Sequence, residues 1–544
     1  MFCFRHIQLD LRCELNENDN RLLQILRQVF LQNQHSLRNV TVYCKSFRIG
    51  IIAMEYCQNL TKLVSCTPHL GYPPSFTSEA LVTPLSSSNQ VFQLHFRRHM
   101  ALMRAREEEV RMNTPIPIVN TNAFALAVSI LRESDLYQTM NNNVKENHHQ
   151  SLATLELYGL QISYFDEPFW RRLPHLENLV IHDPLDMPGD FDMLIRVLDQ
   201  YCPKLKTFRF GGICDDTLLT TTLDEKKEVG LVEVTMRGWS SAQSEINSIS
   251  TLVRKSHTTL KMLRLPMEVL ALPGNNVLSD LQAPRLRFLS IYGDAWRSLE
   301  AGHCASLVRN CPNVEKLIIK LPVDEACLME LSKAECLQSF CLVDPAQPIS
   351  NGGTGFTEGD VEALRLSSSH NQRTSFRRFF EKCNLLTDLC FCGPLLGDAD
   401  LIALATNTPH LESLKLLFCS SMDITVHGIM SFAECAPKGL RNLALMDLKC
   451  LDDDILILLM SRLSVLEKMT LALCPPWMNN RRHIRNCIEQ AMSIRNSIGA
   501  QRLQVTFAPA PGSQILLDCV PGNAIVEKSL DNIPSVFKVL LNIY

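Results

Sequence analysis

Cys383, Cys390 and Cys392 form a local cluster of cysteines, a residue type that can ligate metal. Thiolates are favoured zinc ligands, but a closed zinc site needs four donors, usually as two close pairs set apart in sequence. There is no C-x-x-C pair with a distant second pair. His148 and His149 follow the polar run Asn141 to Asn143 and have no partner at a ligand spacing. The glycine-rich stretch 351–359 lacks the Gly-Lys-Ser/Thr ending of a phosphate loop. No Gly-x-Ser-x-Gly elbow, His-Glu-x-x-His motif or paired-carboxylate constellation is present. The expectation is a chain that is not an enzyme and that uses neither metal nor cofactor.

A second set of residues suits recognition instead. Arg209, Arg237, Arg264, Lys316 and Lys320 are cations, and Trp239 and Tyr292 are aromatics of the kind that anchor interfaces. Their spacing is tied to a short apolar pattern, so their meaning depends on the element that carries them.

That pattern is L-x-x-L-x-L. It begins at Leu152, Leu176, Leu205, Leu231, Leu260, Leu286, Val314 and Leu337, with gaps of 24, 29, 26, 29, 26, 28 and 23 residues. It resumes at Leu386, Leu411, Leu440 and Leu466, and weaker forms occur at Phe4, Leu37 and Leu60. Between triplets come a turn and an amphipathic run, such as Asp423 to Cys435 or Asp452 to Leu463. A strand, a turn and a helix at this period predict a leucine-rich repeat. Pro203, Pro284, Pro312 and Pro409 each stand two residues before a leading Leu or Val, where proline ends a helix and starts an extended segment.

Alternation along a strand sends the triplet residues inward and those between them outward. Single units cannot bury their apolar side alone, so they stack in parallel through right-handed crossovers. The predicted fold is α/β: a right-handed leucine-rich-repeat solenoid, a horseshoe with parallel strands on the concave face and helices on the convex face. The cations and aromatics named above fall at outward positions, a basic stripe suited to an acidic or phosphorylated peptide. Ordinary solvated charge is the plainer account, because Glu156, Asp183 and Glu233 share that face.

The pattern sets the boundaries. N-terminal repeats occupy 1–64, and 65–147 is an insertion or a set of degenerate repeats. Central repeats fill 148–344, with a loop insertion over 345–375. C-terminal repeats and a cap run over 376–508, and 509–544 forms a proline-rich tail. The basic amphipathic stretch Arg481 to Arg495 reads as the cap. No apolar run approaches the ~18 to 20 residues of a membrane span, and Met1 to Asp10 does not read as a secretory leader. With 53 basic and 57 acidic residues there is no global pull toward nucleic acid. The 21 cysteines are scattered, which reads as reduced thiols of the cytosol or nucleus.

Several units carry a cysteine variant: "YCPKLKTFRF", "NCPNVEKLIIKL" and "TPHLESLKLLFC". Others place an acidic helix start after the triplet, as in "CLDDDILILLM", "LGDADLIAL" and "CDDTLL". These resemble the cysteine-containing leucine-rich repeats of F-box proteins, especially their divergent fungal relatives. The resemblance implies substrate recognition for an SCF-type, cullin-RING ubiquitin ligase. In that family a three-helix F-box precedes the repeats, and Met1 to Cys3 has no room for one, so ligase components are expected as partners only with an F-box upstream. Cys202, Cys311, Cys336 and Cys383 sit beside the leading positions, where a small apolar thiol fills a tight corner. Two other partner classes stay open: a small GTPase or similar enzyme regulated by the repeats, and a phospholigand or nucleic acid on the basic stripe.

Overall fold

The computed structural model describes residues 5–10, 20–43, 52–54, 56–57, 59–66, 152–158, 167–182, 190–211, 230–236, 243–267, 269, 281–293, 299–343, 376–393, 395–417, 424–446, 448, 450–472, 481–497, 503–510, 513–519 and 526–528. The chain divides into two compact units, 1–67 with 150–544, and 68–149. His148, His149, Asp183, Arg237, Trp239, the stretch 67–151 and the loop 345–375 lie outside the described residues.

The leucine triplets are strands. They are β1 (His6–Asp10), β2 (Asn39–Tyr43), β3 (Lys62–Cys66), β4 (Thr154–Tyr158), β5 (Asn178–His182), β6 (Thr207–Gly211), β7 (Glu233–Met236) and β8 (Met262–Pro266). Then follow β9 (Phe288–Tyr292), β10 (Lys316–Lys320), β11 (Ser339–Val343), β12 (Asp388–Cys392), β13 (Ser413–Leu417), β14 (Asn442–Met446), β15 (Lys468–Ala472) and β16 (Leu503–Ala510). Each pairs in parallel with the next in chain order. Parallel neighbours need a crossover, and the helices supply it. β3 pairs with β4, and β11 with β12, so the long stretches 67–153 and 344–387 each join adjacent strands.

The register also aligns the triplets. Leu289 lies opposite Leu263 and Leu317, and Ile291 opposite Leu265 and Ile319. Every leading residue from Leu152 to Leu466 is buried, as are its +3 and +5 partners. Each such leucine stabilises the fold by roughly 1.5–3 kcal/mol relative to exposure. Aromatic rings fill the core beside the 344–387 interval: Phe379 packs 5.0 Å from Phe340, and Phe376 packs 5.2 Å from Phe391.

The described helices are α1 (Asn20–Gln32), α2 (Glu167–Arg171), α3 (Asp190–Tyr201), α4 (Gln243–Ser256), α5 (Ala301–Asn310), α6 (Glu325–Leu331), α7 (Arg377–Lys382), α8 (Asp398–Asn407), α9 (Val426–Cys435), α10 (Asp453–Arg462) and α11 (Arg481–Ser497). Acidic starts cap several of them. Asp324 accepts the Cys327 amide at 2.7 Å, and Asp452 accepts that of Ile455 at 2.8 Å. Consecutive helices pack on one another from α7 to α11. Helices about 10 Å wide outside strands about 4.8 Å apart force the stack to curve, with the strands on the concave side. This is the α/β leucine-rich-repeat solenoid.

The cysteine corner is visible at the atomic level. Cys57, Cys202, Cys311 and Cys383 stand three residues before a leading position. Their amides donate to the last helical turn, to Ala53, Leu198, Leu307 and Phe379. Three of their carbonyls accept the leading-residue amide, as Leu205 to Cys202 at 3.1 Å. Cys336 departs from this reading: it stands one residue before Leu337, half-buried, and faces Asn313 across the turn. A thiol adjacent to the leading residue faces away from the corner.

At the C-terminal end the basic stretch forms α11, packed on α10. Arg495 is fully buried there and donates to the carbonyls of Met460, Leu463, Ser464 and Leu466. The proline-rich tail region contains β17 (Ser513–Cys519) and β18 (Val526–Lys528), which continue the sheet antiparallel from β16. No helix among the described residues is long and apolar enough to cross a membrane.

Candidate functional site

The outward residues of the strands form three rows on the concave face. Arg209, Thr235, Arg264, Ser290, Ile318, Cys341, Cys390 and Lys415 follow one another along the middle row. Lys316 is in the row beside Phe288, and Lys320 in the row beside Tyr292. The cations expected as one stripe are therefore spread across all three rows.

Their surroundings differ as much as their rows. Arg209 donates Nε and Nη2 to the two Glu233 carboxylate oxygens at 2.5 and 3.2 Å, and Glu233 is 4% exposed. This fork engages the planar geometry that would grip a phosphate. Arg264 is 6% exposed, with its guanidinium 5.6 Å from the Phe288 ring centre. Lys316 Nζ lies 5.7 Å from the same ring, so one aromatic face system carries two cations. Tyr292 is outward, but its hydroxyl donates to the Met236 carbonyl across β8. Lys62 and Glu156 pair at 2.5 Å farther along the face.

Cations on the face gather over β10 to β13. Lys316 lies near Lys415 and near the Asp388 carboxylate, and Lys320 is on the same strand as Lys316. Burial holds the Lys316 ammonium below the ordinary lysine range, and the nearby Lys415 adds to the effect. Lys415 and Phe288 are the residues that inspection of charge clusters missed. Lys415 stands four residues after Leu411, the same outward position as Arg209 and Arg264, and Phe288 stands two after Leu286. The repeat register alone was the signal for both.

The three close cysteines do not converge. Cys383 belongs to the hydrophobic core, while Cys390 and Cys392 lie on the opposite, concave side of the sheet. Burial raises the Cys57, Cys202, Cys311 and Cys383 thiols to about 12. A thiol so desolvated is neither a ready nucleophile nor a ready ligand. Among the described residues no group of three His, Cys, Asp or Glu side chains is placed to hold a metal ion.

No family profile matches the chain, and no curated protein matches it. Among solved structures it is similar to a chain of the crystal structure of the Rad7 and Elc1 complex in yeast. The identity is 15%, the match covers 72% of this chain and 95% of that one, and the TM-score is 0.38. It is also similar to the leucine-rich repeat-containing protein LegL7 from Legionella pneumophila. There the identity is 12%, the coverage 52% of this chain and 92% of that one, and the TM-score 0.28. The fold assignment stands on the strand register.

Proposed function

We propose that this chain is a non-enzymatic scaffold that binds a protein partner on its concave strand face. The observation that supports it is the gathering of Lys316, Lys320 and Lys415 around Phe288 and Tyr292 on β9 to β13. An extended acidic or phosphorylated segment suits such a face, because cations at the rim steer it and the aromatics supply contact area. The finer reading is substrate recognition for a cullin-RING ubiquitin ligase, supported by the cysteine-variant repeats and their acidic helix starts. In that family an F-box joins the repeats to the ligase, so ligase components are partners only through such a module. The second reading, regulation of a small GTPase, rests on the repeat architecture alone.

Affinity capture from a cell extract separates the readings. Cullin-ligase subunits among the captured proteins support the first, and a small GTPase supports the second. For whichever partner is captured, Lys316→Glu with Lys320→Glu is expected to weaken binding about tenfold, ~1.4 kcal/mol. The wild-type affinity should also fall as salt rises. Unchanged affinity in the double variant would remove β10 from the interface and with it the proposed site.

A further inference from the structure

Cys341 and Cys390 are 49 residues apart in sequence and directly opposite each other in the sheet. Both take outward positions in the middle row, outside the leucine core, where they are 6% and 7% exposed. Their neighbours Phe340, Leu342, Leu389 and Phe391 fill that core instead. Adjacent parallel strands are about 4.8 Å apart. That falls within the Cα separation of about 4.4–6.8 Å that a disulfide spans.

We infer that Cys341 and Cys390 form a dithiol modification site on the concave face, which a hydroperoxide converts into a cross-strand disulfide. The roles within the pair are set by the charges around it. The adjoining Cys390 thiol and the ammonium groups of Lys320, Lys415 and Lys316 outweigh the burial of Cys341, so its thiolate forms more readily than that of an ordinary thiol. The adjoining Cys341, burial and the neighbouring Cys392 raise Cys390. Asp388, on β12, is the carboxylate of this neighbourhood. A thiolate held by cations beside a second thiol is the arrangement of an oxidation-sensitive pair.

The chemistry balances. The Cys341 thiolate attacks the terminal peroxide oxygen and the O–O bond breaks. The leaving oxygen takes a proton and departs as alcohol or water, leaving a sulfenic acid on Cys341. The Cys390 sulfur then attacks the Cys341 sulfur, the S–O bond breaks, and water departs with the Cys390 proton. Two thiols lose two electrons and two protons, and one hydroperoxide is reduced.

Two other sets of thiols serve as internal references. Cys304 and Cys327 are also neighbours, but both are fully buried in the core, Cys327 donates to the Leu299 carbonyl, and Cys304 is raised. Cys435, on α9, is exposed.

The full chain is treated with one equivalent of hydrogen peroxide, its remaining thiols are blocked with a maleimide, and the protein is digested without reductant. Mass spectrometry should find the peptides of Cys341 and Cys390 joined, with two maleimides lost from this pair and regained after dithiothreitol. Cys304 and Cys327 should stay reduced. In Cys390→Ser the reaction should stop at a sulfenic acid on Cys341, trapped by dimedone. The wild-type result decides the matter if that variant does not fold. Full maleimide labelling of both residues after a tenfold excess of peroxide overturns the inference, as does linkage of either to another cysteine first.

Discussion

Arg495→Met is expected to destabilise the C-terminal repeats by ~3–5 kcal/mol, the cost typical of breaking a buried charged network. The guanidinium is fully buried and bridges four carbonyls, at 2.7 Å to Met460 and Leu463, 3.1 Å to Ser464 and 3.0 Å to Leu466. These oxygens belong to the last turn of α10 and to the turn leading into β15. A helix leaves its final carbonyls without internal partners, and its C-terminus favours a cation. Arg495 satisfies both requirements from the next helix. Methionine fills a similar volume but leaves four buried acceptors without these donors. Arg495→Lys keeps the charge but has three donors on one point, against a planar fork, and should recover less than half of the loss. Urea denaturation gives the loss, and hydrogen exchange at the amides of β15 and β16 locates it. A loss below about 1 kcal/mol would show that the turn is held by other contacts.

Gly428→Ala should cost ~2–3 kcal/mol, in the range of overpacking a tight contact. A Cβ at Gly428 would stand 2.0 Å from Asp398 Oδ1, 2.5 Å from its Cγ and 3.0 Å from its Cα. The carboxylate cannot simply swing aside, because Asp398 accepts both the amide and the hydroxyl of Thr425, at 2.7 and 2.6 Å. Thr425 in turn accepts the His427 amide and caps α9. The glycine thus permits α8 and α9 to approach until one aspartate tethers the start of the next helix. Asp398→Ala removes the tether and most of the clash together. The double variant should therefore be less destabilised than the sum of the two single changes. Additive losses, read from denaturation midpoints, would mean that the two residues act separately.

Much of this architecture was legible in the chain because burying leucines on one side of a strand demands a strict spacing. Leu263, Leu289 and Leu317 align in the sheet as their positions in the pattern require. The site was less legible. Arg264 and Lys316 look alike as cations, yet one is nearly covered and both lie over Phe288, which depends on how adjacent strands stack their side chains. Arg209 reads as an open cation until Glu233, from the neighbouring unit, occupies its fork. Cys390 drew notice through Cys383 and Cys392, its neighbours in sequence, whereas its contact is Cys341 across the longest interval between adjacent central strands. Arg495 reads as surface charge on an amphipathic helix, because nothing local reveals that its side chain enters the turn before β15.

The reversal of direction after β16 bears on how these molecules behave at high concentration. A line of parallel strands ends in a flank of open amides and carbonyls that any similar strand can join. Here β17 turns back along β16, and among the described residues β18, only three residues long, forms that flank. So short a template, carrying Glu527 and Lys528, is poorly suited to growth into fibres or stacked oligomers through this margin.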